Sequence, residues 1–222
     1  MDIAPYIDHT LLKPEATAAD IEKLCSEAKG AGFAAVCVPP YFVSISRKLL
    51  ADSKVKIATV IGFPFGYSST SVKLAEIDEA IEDGADEIDM VHNVAALRSG
   101  DFQYLEQEIA RCVQAVHEKG KLLKLIVESG VLTREELLWC CSVYQKHNID
   151  FMKTSTGYAS SGANVEDVRL MRKQLPQSIS IKASGGIRDF SFAARLIEAG
   201  ATRIGCSASM TILEQSKQTI QN

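Results

Sequence analysis

The sequence predicts an α/β protein, one closed (β/α)8 TIM barrel over residues 1–222, and three observations carry that expectation. Short apolar runs alternate with amphipathic helical stretches along the chain, the pattern of a parallel sheet joined by helices. Markers near successive strand ends (His9, Val38, Phe63, Val91, Glu128, Lys153, Lys182, Cys206) are separated by 29, 25, 28, 37, 25, 29 and 24 residues, which is one βα unit repeated. No composition shift, Pro/Gly/Ser linker or low-complexity segment breaks the repeat, which favours one barrel domain over two. An open doubly wound sheet is the alternative, and the missing Gly-x-Gly-x-x-Gly after the first strand counts against its dinucleotide-binding form.

The expected strands are Tyr6 to Thr10, Ala34 to Val38, Lys56 to Gly62, Glu87 to Val91, Leu122 to Glu128, Asp150 to Lys153, Ser178 to Lys182 and Arg203 to Cys206. Between them, Thr17-Ala18-Ala19-Asp20 and Thr133-Arg134-Glu135-Glu136 have the form of capping boxes, in which a hydroxyl and an acid satisfy each other's backbone amides. Ile21, Leu24, Cys25 and Ala28 then mark one apolar face. Gly32, Gly84, Gly120 and Gly200 stand where a left-handed residue closes a helix.

Composition excludes several function classes. With 46% hydrophobic and 23% charged residues the chain is neither disordered nor fibrous, and a net charge of -4 is unlike the basic face of a general nucleic-acid binder. No apolar run reaches the roughly 18 residues that span a bilayer, and Met1 to Pro5 lacks the basic start of a signal peptide. A cytoplasmic protein with no membrane or nucleic-acid partner is expected. The cysteines Cys25, Cys37, Cys112, Cys140, Cys141 and Cys206 form no Cys-x-x-Cys pair, and the four histidines form no ligand motif. Reduced core thiols, no metal and no cofactor follow.

In a barrel, catalytic groups gather at the C-terminal ends of the strands. Period-2 geometry turns Asp89 away from Ile88 and Met90, and Lys182 away from Ile181, so both point inward. Lys153 ends the sixth strand, and Lys124 lies in the middle of the fifth. A Lys-Thr-Ser triplet is ordinarily a solvated turn. Three lysines and an aspartate directed into one interior are costly unless they have work to do. A free lysine titrates near ~10.4 and is almost wholly protonated at neutral pH. A second ammonium at roughly 4 to 6 Å disfavours the charged form by about 3 to 4 kcal/mol, or about two to three pKa units. Lys182 can supply that cation, leaving Lys153 a nucleophile with Asp89 to exchange protons. Ser184-Gly185-Gly186 and Gly205-Cys206-Ser207-Ala208-Ser209 follow adjacent strands and offer backbone amides and a helix start to a phosphate.

On these residues the chain resembles the deoxyribose-phosphate aldolases, a class I aldolase family. The likeness runs nearly end to end, through Asp8-His9-Thr10-Leu11-Leu12-Lys13-Pro14, Val60-Ile61-Gly62-Phe63-Pro64, Glu87-Ile88-Asp89-Met90-Val91, Lys153-Thr154-Ser155-Thr156-Gly157 and Lys182-Ala183-Ser184-Gly185-Gly186-Ile187-Arg188. The resemblance implies a Schiff base on Lys153 and proton transfer by Lys182 and Asp89, without metal. It implies reversible cleavage of 2-deoxy-D-ribose 5-phosphate to D-glyceraldehyde 3-phosphate and acetaldehyde. Gly157, Gly185, Gly186, Gly205 and Ser207 match the phosphate cradle; Asp8 and Thr10 would line the pocket, and Lys124 would orient Asp89. Cys37, at the end of the second strand, is either near the pocket or an inert core thiol. A homodimer is implied by resemblance alone. Two departures stand out: Ser207-Ala208 replaces a pair of serines, and the tail Lys217 to Asn222 has no tyrosine to assist proton transfer. The rival readings are another Schiff-base phosphosugar barrel, transaldolase-like, and a non-catalytic phosphosugar-binding barrel.

Overall fold

In the computed structural model, which describes residues 1–221 along the backbone and 1–218 with side chains, eight strands close on themselves. They are β1 (Ile7–Thr10), β2 (Ala35–Val38), β3 (Lys56–Ile61), β4 (Glu87–Val91), β5 (Leu122–Ile126), β6 (Phe151–Lys153), β7 (Ser180–Ser184) and β8 (Arg203–Cys206). Each pairs in parallel with the next in sequence, and β8 pairs with β1. The expected barrel is therefore the observed one. Its helices are α1 (Ala18–Ala31), α2 (Val43–Leu49), α3 (Thr70–Glu82), α4 (Val94–Arg98), α5 (Phe102–Glu118), α6 (Arg134–Tyr144), α7 (Val165–Gln174), α8 (Phe190–Glu198) and α9 (Ser209–Gln221).

The local signals act as read. Thr17 and Thr133 each accept from the amide three residues on, and Asp20 and Glu136 return the bond, completing both capping boxes. Gly32, Gly84, Gly120 and Gly200 all have positive φ. β1, β2, β3 and β6 each lose one residue at one end relative to expectation, and β5 and β7 differ by more. β5 stops at Ile126 rather than Glu128, because Glu128 itself turns into the left-handed region (φ 54°, ψ 55°). β7 begins at Ser180 and runs on through Ser184, so the strand carries its loop hydroxyl inside the barrel wall.

Alternation sends Ile88 and Met90 outward into the main apolar cluster beneath the helices. Inward residues fall into layers contributed by alternate strands, as barrel shear requires. The registers place Asp8, Ala58, Lys124 and Lys182 of the odd strands beneath Cys37, Asp89, Lys153 and Gly205 of the even ones. The barrel interior is thus divided. Cys37, Ala58 and Val60, with Leu12 and Phe63, form a small apolar cluster of their own, and the other side is charged. A second buried pair lies outside the barrel: Lys73 of α3 reaches Glu108 of α5 at 2.8 Å and the Val91 carbonyl at 2.9 Å, tying two helices to the end of β4.

Candidate active site

Asp89 is the hub of the charged side. Lys153 and Lys182 donate to its Oδ2 at 2.8 and 2.7 Å, and Lys124 donates to its Oδ1 at 2.6 Å. Below it, Lys124 meets Glu87 at 2.6 Å, and Lys182 meets Asp8 in an ion pair of 2.5 Å. Arg203 closes the set, 2.6 Å from Asp8 and 3.2 Å from Glu87. Asp8, Asp89, Lys124 and Lys182 have no exposed surface, so these charges see one another rather than water.

That seclusion sorts the protons. Burial opposes ionisation of Asp89, yet the ammonium groups of Lys124, Lys153 and Lys182 hold its carboxyl well below the usual range. Asp8, also opposed by burial, is drawn down to about 2 by Lys182, Arg203 and Lys124. The lysines divide. Burial disfavours the charge on Lys182, but Asp8 and Asp89 outweigh it and its pKa rises. Lys153 has Asp89 alone, and burial first, then the Lys182 ammonium, pulls its pKa down. The repelling second ammonium expected for Lys153 is present, but burial is the larger cause. Lys124 is held cationic against burial by Asp89 and Glu87, where it braces the second oxygen of Asp89.

A cavity of about 540 Å³ opens over Lys153 at the C-terminal ends of the strands, with Thr10, Gly157, Gly185, Gly186, Gly205 and Ser207 in its wall. Asp89, Lys182, Asp8, Lys124 and Cys37 lie outside that wall, fully buried, so Asp8 and Cys37 are not lining residues. Burial raises the Cys37 thiol, which belongs to the apolar side of the interior, in keeping with the inert reading.

Two glycines have a definite steric task. Gly185 (φ 89°) passes the Gly162 and Gly157 α-carbons so closely that a Cβ would stand 3.1 and 3.4 Å from them. At Gly205 a Cβ would stand 3.0 Å from Lys182 Cε. The missing side chain lets the Lys182 ammonium rise into the layer of Asp89 and Lys153.

Several contributors escaped the sequence reading. Glu87 stands two residues before Asp89, so the same alternation that found one carboxylate carried the other, whereas nothing in the sequence pattern distinguished Arg203. Lys13, Arg188 and Tyr158 also line the cavity. Glu128, from its left-handed turn, accepts the Thr156 amide at 3.2 Å and also its hydroxyl, fixing the loop after β6; burial raises its carboxyl. Among the described residues no group of acids, thiols and imidazoles is placed to hold a metal ion, and no helix is long and apolar enough to cross a membrane. The end of the tyrosine-free tail, residues 219–222, lies outside the described side chains.

The barrel thus holds a buried amine at the floor of an open cavity, flanked by a carboxylate and a retained ammonium. The chain belongs to the DeoC/LacD family of aldolases, whose family model matches residues 3–214. It is 51% identical to the deoxyribose-phosphate aldolase of Thermococcus gammatolerans over 219 residues, 98% of this chain and 97% of that one. With that of Treponema denticola the identity is 50%, over 96% of this chain and 99% of the relative. Among solved structures, the tetrameric deoxyribose phosphate aldolase from Aeropyrum pernix superposes with a TM-score of 0.91 at 31% identity, covering 98% and 92% of the two chains.

Proposed function

We propose that the protein cleaves 2-deoxy-D-ribose 5-phosphate reversibly to D-glyceraldehyde 3-phosphate and acetaldehyde through a Schiff base on Lys153. The observation that carries this reading is the division of protons at Asp89: of the two lysines on its Oδ2, the one under the cavity is the one whose pKa falls. The neutral Lys153 nitrogen attacks the aldehyde carbon of the open-chain sugar, and the carbinolamine loses water to give an iminium. A base then takes the proton of the C3 hydroxyl, the C2–C3 bond breaks, and its electron pair moves into the iminium as an enamine. Glyceraldehyde 3-phosphate leaves; the enamine carbon takes up a proton, and water releases acetaldehyde and the free amine. The Lys182 ammonium and the Asp89 carboxylate, 2.7 Å apart, are the acid and base for these transfers. Lys124 orients Asp89, and the amides of Gly157, Gly185, Gly186 and Gly205, with the Ser207 hydroxyl, receive the phosphate. Lys13 and Arg188, both exposed and without an ion pair among the described residues, supply positive charge at that end of the cavity.

Incubation with acetaldehyde and borohydride tests the reading directly. A reduced two-carbon adduct located on Lys153 by peptide mass supports it, and absence of any adduct sinks it; the transaldolase-like alternative instead expects trapping with a ketose phosphate. A single barrel domain, a homodimer and a cytoplasmic location complete the proposal. The unpaired, buried cysteines are in keeping with a reducing compartment. Light scattering decides between a dimer and a tetramer of the Aeropyrum pernix kind.

A further inference from the structure

Arg203 enters the barrel at the start of β8, on the side away from the cavity, and none of its contacts is with the amine that faces substrate. Its guanidinium meets Asp8 at 2.6 Å and Glu87 at 3.2 Å and lies 5.4 Å from the centre of the Phe151 ring. Those carboxylates are shared. Asp8 also holds Lys182 at 2.5 Å, Glu87 holds Lys124 at 2.6 Å, and both lysines hold Asp89, which holds Lys153. An unbroken chain of ion pairs therefore joins Arg203 to the Lys153 nitrogen. Its charges are three negative (Asp8, Glu87, Asp89) and three positive (Arg203, Lys124, Lys182) before Lys153 is counted. A proton on Lys153 would be a fourth positive charge in a chain of ion pairs that holds three carboxylates, and uncompensated buried charge is strongly disfavoured.

The other groups packed about Lys153 do not change the balance. β1 presents Asp8 and the Thr10 hydroxyl; β2 presents the Cys37 thiol, and β3 presents Ala58 and Val60. β4 and β5 present Asp89 and Lys124; β7 presents Lys182 and Ser184, and β8 presents Gly205. Glu128 carries a carboxyl near the end of β5 that feels the Lys153 charge, but burial raises that carboxyl, the Thr156 amide and hydroxyl engage it, and it stands outside the chain of ion pairs.

We propose that Arg203 is a positioning residue for the aldolase reaction: by neutralising Asp8 and Glu87 from the far end of the barrel, it leaves the Lys153 amine as the basic group of this buried network whose proton the three shared carboxylates do not balance. The proposal rests on Lys153 as the reacting amine, so its test uses a readout that needs no aldolase chemistry. Trace labelling with acetic anhydride across a pH series, read on the Lys153 peptide, gives the pH at which that amine is half protonated. Arg203→Met leaves three carboxylates against two cations, and the midpoint is expected to rise by about one pH unit, or about tenfold less free amine at neutral pH. Glu87→Gln leaves two against three and is expected to lower the midpoint. The double variant, two against two, restores it, and Arg203→Lys, which keeps the charge, brings it back toward the original. An unmoved midpoint in folded Arg203→Met, or a shift in the same direction in Glu87→Gln, overturns the proposal. Because Glu87→Gln and the double variant predict opposite and cancelling shifts, a failure of Arg203→Met to fold leaves the proposal decidable. Failure of acetaldehyde trapping in the unaltered protein would remove the aldolase reading while leaving the charge-balance result standing.

Discussion

At the scale of single residues, what one side chain lacks governs where another's charge sits. Gly205 has no side chain to make a contact, yet its bare α-carbon clears the path of the Lys182 ammonium. Gly205→Ala would bring a Cβ to 3.0 Å from both Lys182 Cε and Ser184 Cβ, tighter than most carbon contacts, so that a neighbour has to shift. The flexible lysine end is the group that gives way, weakening its 2.7 Å bond to Asp89. We expect kcat to fall on the order of tenfold or more, as for partial loss of an acid–base group, with folding retained. An unchanged kcat in the purified variant would show that Lys182 does not need that space. Much of this scale was legible beforehand, since period-2 alternation is enough to find Asp89, Lys124 and Lys182. Arg203 and Glu128 were not legible, because their importance lies in partners distant in sequence: Asp8 is 195 residues from Arg203, and Thr156 is 28 from Glu128.

At the scale of elements, loops from opposite sides of the barrel hold the cavity in shape. The loop after β6 is pinned on one side by Glu128 through Thr156, and Thr156 in turn accepts the Tyr158 amide at 3.0 Å. Tyr158 then reaches across the mouth, its hydroxyl donating to the Leu12 carbonyl at 2.9 Å and its ring edge-on to Phe63 at 5.4 Å. Lys13 follows Leu12 and lines the cavity, so this bond sets where a cation of the first loop stands. Tyr158→Phe removes only the hydroxyl, and one neutral hydrogen bond contributes about 1 kcal/mol. The expected result is a KM for deoxyribose 5-phosphate raised about fivefold with kcat retained. Steady-state kinetics that show kcat falling and KM constant would mean that Tyr158 acts on the chemical step. The strands and their order were readable because a βα unit imposes its own spacing, whereas the loop clasp was not, since an aromatic in a polar loop carries no signal of which carbonyl it will find.

At the scale of the whole molecule, the interior charges set the response to acid. A carboxyl whose pKa is lower in the folded state adds stability that is complete above its unfolded value and disappears as pH falls through its folded value. For Asp8 that window runs from the ordinary 3.8 down to about 2, and Asp89 acts in the same sense. His92 acts earlier. Burial, helped by the Lys73 charge, lowers its pKa from 6.5 to about 3, with the Tyr144 hydroxyl 2.6 Å from its Nδ1 and the Val127 carbonyl favouring the charged form. The unfolded chain therefore takes up a proton below pH 6.5 that the folded one refuses, and stability declines by about 1.4 kcal/mol per pH unit until about 3. Thermal midpoints between pH 7 and 4 are expected to fall less steeply for His92→Gln than for the unaltered chain; parallel curves would mean that His92 is not the group involved.

The closing strand gives the ion-pair chain a temporal meaning. Asp8 precedes Arg203 by 195 residues in the order of synthesis, yet they end 2.6 Å apart, and Arg203 also lies beside Glu87, which is made between them. A nascent barrel that has not yet released β8 holds carboxylates whose cation is still inside the ribosome. Wrapping the sheet shut and discharging its interior are consequently one event, and an incomplete barrel has an electrostatic reason to stay open to water until its final strand arrives.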